Sequence, residues 1–366
     1  MNVLMFGMSS YPGGIESYIV NTFCNGTVAE KLHIDFVTYE DHLAYEDIIG
    51  KYGYGIVRVP HLKKRPLGYR KAVKAAMKKT QYDCVYVNML TAANALPVKL
   101  AKQMNITNIV LHAHANQTIS GFVRRLLHYK NRRMCNRAAS MRLACSQEAA
   151  QWLFDEKMPD SPIRILPNAI DTDRLCFSVE ARARIRAQYG IEDNTLLLGS
   201  VGRFGPEKNN LFMLDVLKDL VDKGVDAKLL LIGEGVMKNA LQEKTQDYKL
   251  HQRVIFAGTQ METQAYYSAF DVFLFPSVFE GFGMSALEAQ SCGLPCLCSD
   301  RLSKELDVTN TLCYLPIDQG APIWSEAVLH SCAQERDALA MNQCVAQSAY
   351  CVKTQNREVL QIMLEQ

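Results

Sequence analysis

The strongest constraint on this chain is an alternation that runs through it twice. It opens with NVLMFG, residues 2–7, a short apolar run ending in glycine. A loop with Pro12, Gly13 and Gly14 follows, then IESYIVNTFCN with helical spacing. A continuous apolar run leading through a glycine turn into a helix reads as a strand buried on both faces. LHIDFVTY, YDCVYVNM, NIVLHAHAN, MRLACSQ and IRILPNAID continue the series. The pattern then restarts with TLLLGSVGRF, the helical LFMLDVLKDLVDKG, AKLLLIGEG, RVIFAGTQ, DVFLFPSV and LPCLCSD. Strands alternating with helices demand a parallel sheet covered on both faces. The fold class is therefore α/β, with two Rossmann-like domains. We expect them at 1–170 and 171–345, with a terminal helix at 346–366.

Composition narrows the function. A hydrophobic content of 48% with 21% charged residues is that of a globular chain. The opening MNVLMFGMSS lacks the basic start and long apolar run of a secretory signal, and no stretch is apolar enough to span a membrane. The expected location is cytoplasmic. Twelve cysteines are scattered, and Cys292, Cys296 and Cys298 form no C-x-x-C pair. They read as reduced, mostly buried thiols rather than a zinc site.

The net charge of +2 hides an asymmetry. Residues 1–170 hold 22 Lys and Arg against 12 Asp and Glu, while the remainder holds 18 against 26. No acid lies between Asp83 and Glu148, an interval containing Arg124, Arg125, Lys130, Arg132, Arg133, Arg137 and Arg142. A basic first half calls for an anionic partner. A membrane surface, a phosphorylated lipid and nucleic acid all answer to that, though the half has no aromatic stacking platform or recognition motif for nucleic acid. GFVRRLLHYKNRRM, mixing apolar and basic residues, is the candidate contact helix.

Chemistry concentrates in SVFEGFGMSALEAQSCGLP, residues 277–295. Gly281 and Gly283 permit tight backbone geometry, and MSALEA is good helix sequence. A helix starting near Gly283 offers unpaired N–H groups and positive dipole to an anion such as a diphosphate. Glu288, over a turn inside, can accept two hydroxyl hydrogen bonds, as from a ribose. Glu280, before the glycines, would face the group beyond the phosphates, such as a sugar. Upstream, GSVGRFGPEKNN sets Arg203 and Lys208 on a loop after a strand, two cations suited to a diphosphate.

GRFGPEKN, FAGTQ and FPSVFEGFGMSALEAQSCGLP together resemble the retaining glycosyltransferases of family 4, which have the GT-B fold of two facing domains about a cleft. PNAID, Pro167 to Asp171, is similar to the family's P-N-G-V-D, with Ala169 for glycine. Within the family the chain resembles bacterial capsule and exopolysaccharide enzymes. The resemblance implies that Arg203 and Lys208 stabilise the diphosphate and that Glu280 bonds the transferred sugar. Phe282, Gly283 and Met284 would lie beside the donor and Glu288 would hold its ribose. Gly13 and Gly14 match the N-terminal glycine loop. The family's histidine at a strand end would be His114, with His112 the alternative. It also implies a nucleotide diphosphate sugar donor, commonly UDP-linked, a glycan or polyprenyl-diphosphate-linked acceptor, and no metal or other cofactor. The terminal helix would cross back to the first domain.

One departure is SDRLSKELDV, which lacks the family's glycine-rich turn; Glu305 is the acid that could stand there. Rival classes fare worse. GMSSYPGG is not the G-x-G-x-x-G of a dinucleotide oxidoreductase. A sugar-nucleotide epimerase of the same two-domain fold is the alternative left open.

Overall fold

In the computed structural model, residues 1–11, 13–114, 121–154, 163–333 and 336–364 are described. The chain divides into two compact units, Met1–Ala169 with Val352–Gln366, and Ile170–Cys351. The return to the first unit comes at Val352 rather than at 346. Ile170 and Cys351 form a parallel bridge, and Ile170 donates its N–H to the Tyr350 carbonyl at 2.9 Å, so residues up to 351 stay with the second unit.

The first unit holds seven parallel strands: β1 (Asn2–Phe6), β2 (His33–Thr38), β3 (Gly55–Arg58), β4 (Cys84–Met89), β5 (Asn108–Ala113), β6 (Met141–Ala144) and β7 (Ile163–Ile165). Their order is β3-β2-β1-β4-β5-β6-β7. The second unit holds six: β8 (Leu196–Val201), β9 (Ala227–Ile232), β10 (Val254–Gly258), β11 (Val272–Phe275), β12 (Cys296–Ser299) and β13 (Cys313–Leu315), in the order β10-β9-β8-β11-β12-β13. Both sheets are parallel throughout. In each the strand order reverses once, between β1 and β4 and between β8 and β11. In doubly wound sheets ligands bind outside the carboxyl ends of the strands at such a reversal.

Central strands are the long apolar runs, and every residue of β4 is buried. Edge strands β3 and β13 are short and only partly buried. The terminal helix Val352–Leu364 buries Val359, Leu360, Ile362 and Met363 in one cluster with Tyr18, Ile19 and Phe23 of helix Gly14–Phe23. The Thr22 hydroxyl donates to Gln355 Oε1 at 2.8 Å across that contact. All twelve cysteines are free thiols. Among the described residues no helix is long and apolar enough to cross a membrane.

Candidate active site

In the second unit the strand reversal gathers two loops. After β8 the chain passes Gly202 at φ +155° and runs close to the turn after β9. A Cβ on Gly233 would lie 2.0 Å from the Gly202 carbonyl oxygen, and one on Gly235 would lie 2.4 Å from that of Phe204. Glycine is thus required in GEG because two turns pack backbone against backbone. Phe204 is buried between them and exchanges hydrogen bonds with Glu234 and Met237. The loop then tightens into a short 3₁₀ turn, Pro206–Lys208, which ends at Asn209 with φ +52°. The Glu207 carbonyl accepts the N–H of Val278 at 2.8 Å, tying this loop to the one after β11.

That tie brings Lys208 to Glu280. The ammonium lies 2.5 Å from Glu280 Oε1, with both side chains mostly buried. It also sits 5.3 Å from the Phe275 ring centre. Arg203, by contrast, is 75% exposed and pairs with Glu207 at 2.7 Å.

Helix Met284–Ser291 starts beside this pair. Gly283 caps it at φ +105° without a side-chain cap bond. A Cβ there would meet Phe275 at 3.0 Å and Leu306 at 3.1 Å, whereas one on Gly281 would meet nothing within 4 Å. Only Gly283 is demanded by conformation and packing together. No side chain caps its first turn, although the Ala286 N–H is taken by the Gly283 carbonyl at 2.9 Å. Met284 packs on the core, and Phe282 stacks on Tyr350 with centroids 4.6 Å apart. Glu288 is partly buried and accepts the Tyr267 hydroxyl on Oε2 at 2.8 Å. Burial pushes its carboxyl up from 4.5 to about 7, against the pull of that hydrogen bond and of Arg174. A carboxylate so placed answers to a polar ligand that can replace lost water.

Gln290, on the same helix, is wholly buried and acts as a hub. It donates to the carbonyls of Ala286 and Leu306, and accepts from the N–H groups of Val308 and Thr309 and the Thr309 hydroxyl. The segment carrying Glu305 and Leu306 is thereby fixed against the helix. Glu305 itself donates its backbone N–H to the Ser303 hydroxyl oxygen at 3.3 Å.

In the first unit, Gly13 precedes helix Gly14–Phe23; a Cβ on it would meet Glu16 Oε2 at 2.8 Å, but one on Gly14 would find only Asn168 Nδ2, at 3.7 Å. Glu16 is buried and accepts the Ser9 N–H at 2.9 Å, bracing the glycine loop. His112 and His114 lie on one face of β5 and its continuation, ring centres 3.9 Å apart. His112 is fully buried and bonded through Nδ1 to the Tyr86 hydroxyl at 2.8 Å. His114, at the strand end, meets Asn88 Oδ1 through Nε2 at 2.8 Å. Burial brings His114 down from 6.5 to about 3, and burial followed by repulsion from His114 holds His112 well below its usual range. Both rings are neutral at physiological pH, suited to hydrogen bonding rather than to carrying charge.

Two family models match in succession along the chain: Glycosyltransferase Family 4 over residues 12–174, and Glycosyl transferases group 1 over residues 181–309. The chain belongs to the family 4 glycosyltransferases. This transferase is 29% identical over 333 residues to a Bacillus subtilis (strain 168) protein named as the glycosyltransferase EpsF, covering 88% of this chain and 86% of that one. It is 25% identical over 231 residues to the Escherichia coli UDP-Gal:alpha-D-GlcNAc-diphosphoundecaprenol alpha-1,3-galactosyltransferase, covering 61% of this chain and 59% of that one. Its fold matches HepE from Anabaena, solved with UDP and glucose, at a TM-score of 0.78 and 18% identity over all of both chains. The architecture is GT-B.

Sequence reasoning about this transferase missed Tyr267, Gln290, Glu16 and Asn88. Asn88 left a signal, a polar residue inside the apolar run CVYVNM, and Gln290 another, a polar residue in the helix leaving the site. Asp171-Thr172-Asp173, which has the Asp-x-Asp spacing of some cation sites, was also passed over. Here Asp171 Oδ1 accepts the backbone N–H groups of Asp173 and Arg174 at 3.1 and 3.3 Å. Among the described residues no three His, Cys, Asp or Glu gather as metal ligands.

Proposed function

We propose that this glycosyltransferase moves a sugar from a nucleotide diphosphate sugar, a UDP-sugar, to a glycan or polyprenyl-diphosphate-linked acceptor in surface polysaccharide synthesis. It retains the anomeric configuration and uses no metal. The observation that carries this reading is the mostly buried Lys208–Glu280 pair just ahead of helix Met284–Ser291, which carries Glu288 a turn further in, at the strand reversal of the second unit. Lys208 and the helix N-terminus meet the negative charge that grows on the departing diphosphate. Arg203 swings from Glu207 to add a second cation. As Lys208 turns to phosphate, Glu280 is released to bond a sugar hydroxyl. Glu288 takes the ribose hydroxyls. The sugar–phosphate bond breaks as the acceptor oxygen bonds to the anomeric carbon from the same face, and the acceptor proton passes to the departing phosphate oxygen. The names of two relatives support the donor and acceptor classes: HepE was solved with UDP and glucose, and the Escherichia coli enzyme takes a diphosphoundecaprenol acceptor.

The acceptor class gives the basic face its role at an anionic bilayer. Helix Phe122–Ala138 exposes Phe122, Val123, Leu126 and Tyr129 beside Arg124, Arg125, Lys130 and Arg133. Helix Leu96–Gln103 lies between it and the basic helix Pro66–Lys79. Apolar groups that insert and cations that meet lipid phosphate suit such a surface.

A donor screen tests the reading. Purified protein is incubated with a panel of nucleotide sugars, with and without EDTA, alongside Glu288→Ala and Lys208→Ala. Release of nucleoside diphosphate from one donor, surviving EDTA and lost in both variants, is the expected result. Conversion of the donor to an isomeric nucleotide sugar without any transfer would identify an epimerase instead.

A further inference from the structure

The network behind His114 decides which hydrogen-bonding partner that ring can accept. Asn88 is buried at the carboxyl end of β4, beside the strand reversal of the first unit. Its Nδ2 donates to the Phe6 carbonyl at 3.0 Å. The turn after β1 closes over it: Gly7 has φ +111°, and a Cβ there would lie 2.6 Å from the Asn88 carbonyl oxygen and 2.7 Å from its Cβ. The amide cannot turn over without setting Oδ1 against the Phe6 oxygen, acceptor against acceptor. Oδ1 therefore faces His114 Nε2, at 2.8 Å. An amide oxygen can only accept, so Nε2 must carry the proton. A neutral imidazole then has a bare lone pair on Nδ1. That atom is shut away from solvent and has no hydrogen-bond partner among the described residues. The centres of the His112 and Tyr18 rings lie 3.9 and 5.0 Å from the centre of the His114 ring.

We propose that Asn88 is a positioning residue that locks His114 in the Nε2–H tautomer, so that Nδ1 is held as an acceptor for a hydroxyl or N–H group of the substrate. A phosphate or carbonyl oxygen offers only lone pairs and is rejected there. Leaving a buried acceptor empty is unfavourable, so the site is completed when a donor group arrives. The place of that group in a transfer reaction rests on the function proposed above; the tautomer does not.

The test is the imidazole nitrogen spectrum of protein labelled with nitrogen-15 at histidine. The His114 signals are assigned by their absence from His114→Asn. The wild type at pH 7 is expected to show a protonated Nε2 and an unprotonated Nδ1. Asn88→Ala removes the acceptor and should give a mixture of tautomers. Observation of Nδ1–H, or of an imidazolium, in the wild type overturns the proposal before any variant is made. An unchanged pure Nε2–H tautomer in a folded Asn88→Ala also overturns it, because the amide would then be only structural. With a donor in hand, Asn88→Ala should lower kcat/KM by about tenfold or more, the loss of one oriented hydrogen bond. Loss of all transfer by every donor, with the tautomer as expected, would fault the proposed function and leave the positioning role intact.

Discussion

Replacing Glu288 by Gln should make the second unit more stable and the enzyme worse, and the size of the gain follows from the burial of the carboxyl. Burial raises Glu288 from 4.5 to about 7. At about 1.4 kcal/mol per pH unit, the folded protein disfavours the ionised form by about 3 kcal/mol. Below pH 4.5 both the folded and the unfolded chain hold the proton, and Glu288 has no effect. Between 4.5 and about 7 the folded chain keeps a proton that the unfolded chain has lost, so stability falls as pH rises. Above 7 the full cost stands. Glutamine is neutral throughout, and its carbonyl oxygen can still accept from the Tyr267 hydroxyl. The advantage of Glu288→Gln over wild type should therefore grow by about 2 kcal/mol between pH 5 and pH 8. Urea unfolding measures this through the fluorescence of Trp324, which is wholly buried in the second unit. A Trp152→Phe background removes the other tryptophan. Nucleotide binding by the same variant should fall, the trade expected where a strained group serves a ligand. Parallel stability profiles for the two proteins from pH 5 to pH 8 would refute the argument.

Further outcomes follow from the same geometry. Because an ionised carboxylate accepts hydroxyl hydrogen bonds more strongly than a neutral one, nucleotide affinity in the wild type should weaken as pH falls below 7, a dependence absent from Glu288→Gln; calorimetric titration at pH 5.5 to 8 checks this. Gly283→Ala should cost about 2 kcal/mol, from its positive φ and its contacts with Phe275 and Leu306, while Gly281→Ala should be nearly silent, as read by denaturant midpoints. Lys208→Met should lower kcat by about 10²–10³-fold, and in a double-mutant cycle with Glu280→Gln the stability losses should fall short of additive. Vesicle flotation should show binding to anionic but not zwitterionic lipid, lost at high salt and in Phe122→Ser/Leu126→Ser.

Much of this protein can be read along the chain because some of its information is local. Apolar runs such as CVYVNM and VFLF need no partner to declare themselves, and the repeated alternation with helices dictates a parallel sheet in each half. The clustered chemistry of EGFGMSALEA, the cations of GRFGPEK and the excess of basic residues before position 170 are likewise legible from neighbours. The edge strands β3 and β13 escape this reading, since short, half-buried segments carry too little periodicity to stand out.

What tertiary structure alone decided concerns partners and burial. Lys208 and Glu280 are separated by 72 residues and meet because β11 is laid beside β8, not beside β10. Lys208 and Arg203, which spacing had paired, take different partners: Lys208 meets Glu280 in a mostly buried pair, and Arg203 meets Glu207 at the surface. Two glycines that look equivalent, Gly281 and Gly283, differ because only one lies under Phe275 and Leu306. Asn88 finds His114 only across the β4–β5 pairing. Glu288 acquires its raised carboxyl from the bodies packed around it, not from its neighbours in the helix. Strand order and desolvation are properties of the assembled sheet, and no window of sequence contains them.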